Sequence, residues 1–184
     1  MMTKKTLAAC AIVAFTFAAM GAYVANSEPD KEQQVARPAA AAPDFGPVQA
    51  LYAQVLPDAN GKQQALAQWQ GKALLVNFWA PWCAPCVEEM PELSSLQQQY
   101  SAKNLQIIGI GIDSQAKIAQ FAAKLKIAYP LYVAGMDGSE LARKFGNTSG
   151  GLPYTVLIGA DGEVRKTYLG RLKFEQLRSD LSAL

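Results

Sequence analysis

The chain contains no histidine. Histidine is the commonest metal ligand and the usual general base near neutral pH, so Cys-His proteases, zinc hydrolases and His-ligated haem proteins are set aside. Cysteine is scarce as well: the three are Cys10, Cys83 and Cys86, and only the last two fall where the sequence reads as globular. Two thiolates cannot complete a four-ligand zinc site without carboxylates or a second chain. Charge is also sparse. The formal net charge is +2, with no basic stripe, which argues against a nucleic-acid surface. No internal repeat is visible. At 184 residues, 51% of them hydrophobic, the chain can bury one sizeable core, so a single globular domain with an N-terminal addition is expected.

What is present is organised around Trp82-Cys83-Ala84-Pro85-Cys86. Upstream, Ala73 to Trp79 (ALLVNFW) is a short apolar run between Gly71 and Pro81, the pattern of a buried strand. Downstream, Val87, Met90, Leu93, Leu96 and Tyr100 recur at helical spacing. The thiols therefore sit where a strand hands over to a helix. Unpaired backbone N–H groups at a helix start carry partial positive charge and favour a thiolate. Cys83, at or before the first turn, is expected to be the more exposed nucleophile, and Cys86 the resolving thiol. A disulfide closing so short a loop stabilises by only about 2 kcal/mol, so exchange chemistry explains the pair better than stapling does. Half of a metal site is the competing reading of an isolated C-x-x-C.

The N-terminus carries Lys4 and Lys5, and Leu7 to Val24 follows without a charge. As a helix that run is about 27 Å long, enough to cross a bilayer core, with the lysine end cytoplasmic. Residues 1–25 thus read as a membrane anchor, or as a signal peptide if cleaved near Ala19-Met20-Gly21 or Ala25-Asn26-Ser27. Cys10 reads as a small buried hydrophobe within it. Residues 26–47 are polar, alanine-rich and proline-bearing, a linker that reaches roughly 70 Å when extended.

Residues 48–184 are the expected domain. Leu51 to Leu56 reads as a strand, Asp58-Ala59-Asn60-Gly61 as a turn, and Leu66 to Gln70 as a helical turn. After the dithiol helix, which Pro91 is expected to kink, Leu105 to Ile112 is a second buried strand. The long crossover implies parallel pairing with the first. A helix with apolar face Ile118, Phe121, Ala122 and Leu125, a brief strand Leu131 to Val133 and a short helix Ser139 to Phe145 follow. Tyr154 to Ile158 and Val164 to Tyr168 flank Asp161-Gly162 as an antiparallel hairpin. Phe174, Leu177, Leu181 and Leu184 mark a closing helix, and Phe78, Phe121 and Phe145 are assigned to the core.

The blocks NFWAPWCAPCVEEMPEL (Asn77 to Leu93) and GLPYTVLIGADGEV (Gly151 to Val164) resemble the thioredoxin superfamily, and within it the membrane-tethered TlpA/ResA group of thiol-disulfide reductases. The likeness spans about Leu51 to Leu184. It implies an α/β thioredoxin-like fold, a mixed central sheet flanked by helices, and no cofactor beyond a redox-active Cys83–Cys86 disulfide. It further implies that Pro153 is a cis-proline facing the dithiol, with the Leu152 backbone turned outward to pair with a substrate chain and Trp82 meeting that substrate. Trp79 reads equally as site or packing. Where cytosolic thioredoxins carry a buried acid this chain has Asn77, and Gly109 replaces the lysine that partners it. Glu89 matches the acid the group places beside its dithiol. A partly buried carboxylate has a raised pKa and can exchange a proton with the Cys86 sulfur.

Electron flow follows from charge. A strong oxidant owes its character to an unusually stabilised thiolate, whereas here Ala84-Pro85 supplies no cation and Glu88, Glu89 and Glu92 follow. The expectation is a reductant of protein disulfides on the periplasmic side of a bacterial inner membrane, held by a single-pass anchor, or free in the periplasm if cleaved. The resemblance implies apocytochromes or copper-site proteins as substrates and a membrane thiol transporter of the DsbD kind as electron donor. Tyr154, where the cytochrome branch has an acid, leans toward copper sites. The alternative is a Cu(I) chaperone module holding the ion on the same two thiolates; the missing methionine and histidine clusters count against it. A peroxidase ranks third.

Overall fold

The computed structural model describes residues 46–184; the expectations for the anchor, Cys10 and all but the end of the linker lie outside them. In chain order the elements are α1 (Pro47–Tyr52), β1 (Val55–Pro57), β2 (Gln63–Ala65), β3 (Ala73–Trp79), α2 (Ala84–Tyr100), β4 (Leu105–Gly111), α3 (Gln115–Lys124), β5 (Leu131–Val133), α4 (Asp137–Lys144), β6 (Tyr154–Ile158), β7 (Val164–Leu169) and α5 (Phe174–Ser182). A 3₁₀ turn covers Leu66–Trp69, where a helical turn was expected. Among the described residues no helix is long and apolar enough to cross a membrane.

The strands β5-β4-β3-β6-β7 form a mixed sheet. The two long apolar runs pair in parallel, Ala73 with Leu105 through Trp79 with Gly111, because a helix must carry the chain back between them. The hairpin β6–β7 then adds antiparallel to β3, with Phe78 opposite Tyr154 and Leu74 opposite Ile158. Side chains alternate across β3. Leu75 and Trp79 pack with Met90, Leu93, Ile118 and Leu177 on one face. Leu74, Val76 and Phe78 pack with Leu51, Leu141 and Phe145 on the other. Helices cover both faces, which is why the strand reads as an unbroken apolar run rather than an alternating one.

Two expected elements change. Leu51 to Leu56 is not one strand: Pro47 opens α1, whose buried Val48, Leu51 and Tyr52 follow helical spacing. Only Val55–Pro57 finds a strand partner, in Gln63–Ala65. The closing helix ends at Ser182, leaving Leu184 exposed. Phe121 is half-buried and packs against the core, while Phe78 and Phe145 are within it. The helix α2 continues through Pro91.

The seam between β4 and α3 is tight enough to test. A Cβ on Gly111 would lie 2.5 Å from Ile118 Cδ1 and 3.3 Å from the Tyr132 carbonyl. Gly111→Ala is expected to destabilise the domain by about 1–3 kcal/mol in urea unfolding. Adding Ile118→Val, which removes the clashing carbon, should recover part of that loss, and strictly additive losses would contradict this packing.

Candidate active site

At the end of β3, Trp79 O accepts the Ile112 N–H at 2.8 Å and the Cys83 N–H returns to Ala80 O at 3.1 Å. This return sets Cys83 at the N-cap of α2 with extended backbone (φ −90°, ψ 99°). Pro85 fits the first turn because N–H groups there have no intrahelical partner. Cys86 follows within that turn, joined to Cys83 by a disulfide with Cα atoms 5.3 Å apart. Cys83 is 6% exposed and Cys86 0%. Cys83 is thus the less deeply buried of the two. Trp82 beside it is 67% exposed, an uncommon position for so large an apolar ring.

The Leu152–Pro153 bond is cis, as expected. Because Tyr154 lies opposite Phe78, Pro153 stands at the same edge of the sheet from which β3 leads into the dithiol. The loop before it is held by Asn147 Nδ2 donating to Gly151 O at 2.9 Å. Behind it, the Gly170 N–H donates to Pro153 O at 2.8 Å and the Tyr154 hydroxyl to Phe145 O at 2.7 Å. Half-buried Leu152 packs against the apolar cluster that contains both cysteines. Trp79 is fully buried with its ring 4.8 Å from that of Phe121, so packing is its place.

Glu89 lies one helical turn beyond Cys86 on the same face of α2 and is 1% exposed. Asn77 Nδ2 donates to Oε1 at 2.9 Å and to Thr155 Oγ1 at 3.0 Å. The Leu172 N–H donates to Oε2 at 3.0 Å. Burial pushes the Glu89 carboxyl above the ordinary carboxylate range, and these two donors, with Arg171, offset the rise only in part. Glu88 and Glu92 were expected to add to the negative field; instead Glu88 faces solvent and pairs with Arg171 at 2.9 Å, and exposed Glu92 lies 3.9 Å from Arg178. Gly109 is the register partner of Asn77 on β4.

Thr155 and the Leu172 amide escaped the sequence reading. They stand 78 and 83 positions from their partners. Nothing local in the sequence marks them; only the β3–β6 register, in which Asn77 pairs with Thr155, brings the first of them in.

A mixed sheet with a dithiol at the head of its first long helix and a cis-proline loop beside it defines a thioredoxin-like thiol-disulfide oxidoreductase. The chain belongs to the Redoxin family, whose model matches residues 37–182. The thiol-disulfide oxidoreductase ResA of Bacillus anthracis is 32% identical over 131 residues, covering 71% of this chain and 73% of that protein. ResA of Geobacillus thermodenitrificans is 28% identical over 144 residues, covering 78% and 75%. Among solved structures, a Neisseria meningitidis protein assigned as a thioredoxin shares 32% identity at a TM-score of 0.60, covering 71% of this chain and 85% of that one. A Chlorobium tepidum protein assigned as the thiol:disulfide interchange protein DsbE shares 25% at a TM-score of 0.63, covering 71% and 91%.

The buried acid has a thermodynamic signature. A carboxyl whose folded pKa exceeds its unfolded value takes up a proton on folding, so stability falls as pH rises from the unfolded pKa through the folded one. Glu89→Gln stays neutral and keeps an acceptor for the Leu172 amide. It should match wild type most closely at about pH 4 and exceed it in thermal stability at about pH 8. A wild type that is the more stable at the higher pH would contradict the burial cost assigned to Glu89.

Proposed function

We propose that the chain is a reductant of protein disulfides, acting outside the cytoplasm from a membrane tether. The observation that carries this reading is the Glu89 carboxyl, sealed from water one turn behind Cys86. Charge on that carboxyl opposes charge on the neighbouring sulfur, and Arg171, the cation that reaches it, is engaged by Glu88. The reduced dithiol is thus denied the thiolate stabilisation on which strong oxidants depend. The relatives named ResA support thiol-disulfide exchange as the chemistry.

The steps balance as follows. The Cys83 thiolate attacks one sulfur of a substrate disulfide, forming a mixed disulfide and expelling the other sulfur as a thiolate. Cys86 gives its proton to the Glu89 carboxylate and attacks the Cys83 sulfur, expelling the second substrate thiolate. The protein has lost an electron pair and carries the Cys83–Cys86 disulfide; the substrate has gained that pair and takes its protons from Glu89 and solvent. Trp82 and Leu152 supply the apolar surface on which the substrate chain rests, and the backbone before Pro153 pairs with it. No dissociable cofactor takes part. A membrane thiol transporter of the DsbD kind returns the electrons, and apocytochromes or proteins awaiting copper are the substrate class. Leu7 to Val24, with Lys4 and Lys5 ahead of it, supports the tether and its orientation.

Insulin reduction and Cu(I) titration on the same preparation separate this function from copper carriage. Wild type is expected to reduce insulin, Cys83→Ser to give only the uncatalysed rate, and Cys86→Ser to accumulate mixed disulfides with substrate proteins. Stoichiometric, tight Cu(I) binding without insulin reduction would overturn the reading.

A further inference from the structure

Trp82, largely exposed and adjacent in sequence to Cys83, lines a cleft of about 390 Å³. Pro81 lines it beside the indole, and α3 contributes Phe121, Lys117 and Lys124. Phe121 is half-buried, with its ring 4.8 Å from that of the fully buried Trp79. Trp79 belongs in turn to the apolar cluster that contains both cysteines. The α3 side of the cleft is thus fixed by the core, while the indole side is open to solvent. An exposed aromatic ring at the mouth of a pocket is the kind of group that anchors an apolar side chain of a partner.

Charge on this side of the dithiol is of one sign. Ser114 to Met136 contains Lys117, Lys124 and Lys126 but no Asp or Glu. Asp113 also lines the cleft, and its carboxylate is already engaged: the Ser114 N–H donates to Oδ1 at 2.7 Å, and Lys117 pairs with it at 3.3 Å. Lys124 has no carboxylate within ion-pair distance among the described residues. Along α2, by contrast, Glu88 pairs with Arg171 and Glu92 with Arg178. An unmatched cation next to an apolar wall is complementary to a segment that carries an apolar side chain and a carboxylate together.

We propose that the cleft between Trp82 and α3 is a specificity subsite: it selects protein substrates with a large apolar side chain and an acidic residue close to the attacked cysteine. The apolar group seats between Trp82 and Phe121, and the carboxylate pairs with Lys124. Because Trp82 directly precedes Cys83, a chain held in mixed disulfide on Cys83 has the neighbours of its own cysteine at the mouth of this cleft. The subsite rests on the reduction of protein disulfides proposed above and adds which disulfides are chosen.

The pre-reduced full chain is mixed with an excess of synthetic peptides, each closed by one internal disulfide and differing only in the residue pair that flanks the half-cystines: Phe-Asp, Phe-Asn or Ala-Asp. Thiol alkylation follows the second-order rate of dithiol oxidation. At low ionic strength the Phe-Asp peptide is expected to react about two- to five-fold faster than either of the others. Lys124→Gln should remove the advantage of Asp over Asn, Lys124→Glu should invert it, and salt at about 0.5 M should shrink it in wild type. Lys126→Gln, the same charge change outside the cleft, should leave it in place. Equal rates for the Phe-Asp peptide and either of the others would overturn the subsite and leave the reductase standing. So would an advantage of Asp over Asn that survives Lys124→Gln or is lost equally in Lys126→Gln. Oxidation of the dithiol by none of the peptides would instead overturn the function proposed above, and the subsite with it.

Discussion

Glu89 carries a carboxyl group that water scarcely reaches, and the groups that make this tolerable come from distant parts of the chain. Asn77 donates from the central strand and the Leu172 amide from the loop before α5. A buried carboxyl without such donors would cost several kcal/mol, so the sheet, the dithiol helix and the closing helix must all be in place for the acid to be held. Burial holds its proton to a higher pH than an exposed glutamate keeps it, and the Leu172 and Asn77 amides, with Arg171, offset that rise only in part. That places a buried carboxyl of raised pKa one helical turn from Cys86.

The fold delivers the sulfurs to the same place. Parallel pairing of β3 and β4 forces α2 to begin at the carboxyl end of β3, so the unpaired N–H groups of its first turn stand at that edge of the sheet. The antiparallel strand β6 starts at the same edge, which brings cis-Pro153 and Leu152 there. Cys83 lies between two opposed influences: the helix terminus favours its thiolate, and the buried acid behind Cys86 disfavours further negative charge. Glu88 and Glu92, turned to solvent beside Arg171 and Arg178, contribute little to that balance.

Much of this was legible in the residues. Ala73 to Trp79 declared itself as a strand because both its faces are covered, and Asp58 to Gly61 as a turn because Gly61 must adopt positive φ (85°). The dithiol, Trp82, Pro153 and Glu89 were found from local spacing and family resemblance together. The helix Pro47–Tyr52 was misread because so short an element shows less than two full turns of period, and an apolar Leu-Tyr pair suits a strand as well. Thr155 and Leu172 were missed for another reason: their contribution depends on register and loop closure, which no window of sequence contains. Asn77 was noticed as a departure, but its role as the donor to Glu89 became visible only with the packing of α2 on the sheet.

If the buried acid denies the dithiol a strongly stabilised thiolate, the pair must hold its electrons weakly. Equilibration of the full chain with glutathione buffers, followed by thiol alkylation, gives the Cys83–Cys86 reduction potential directly. A value below about −200 mV is expected for a reductant governed by this environment. A value near about −120 mV, that of a strongly oxidising dithiol, would contradict it.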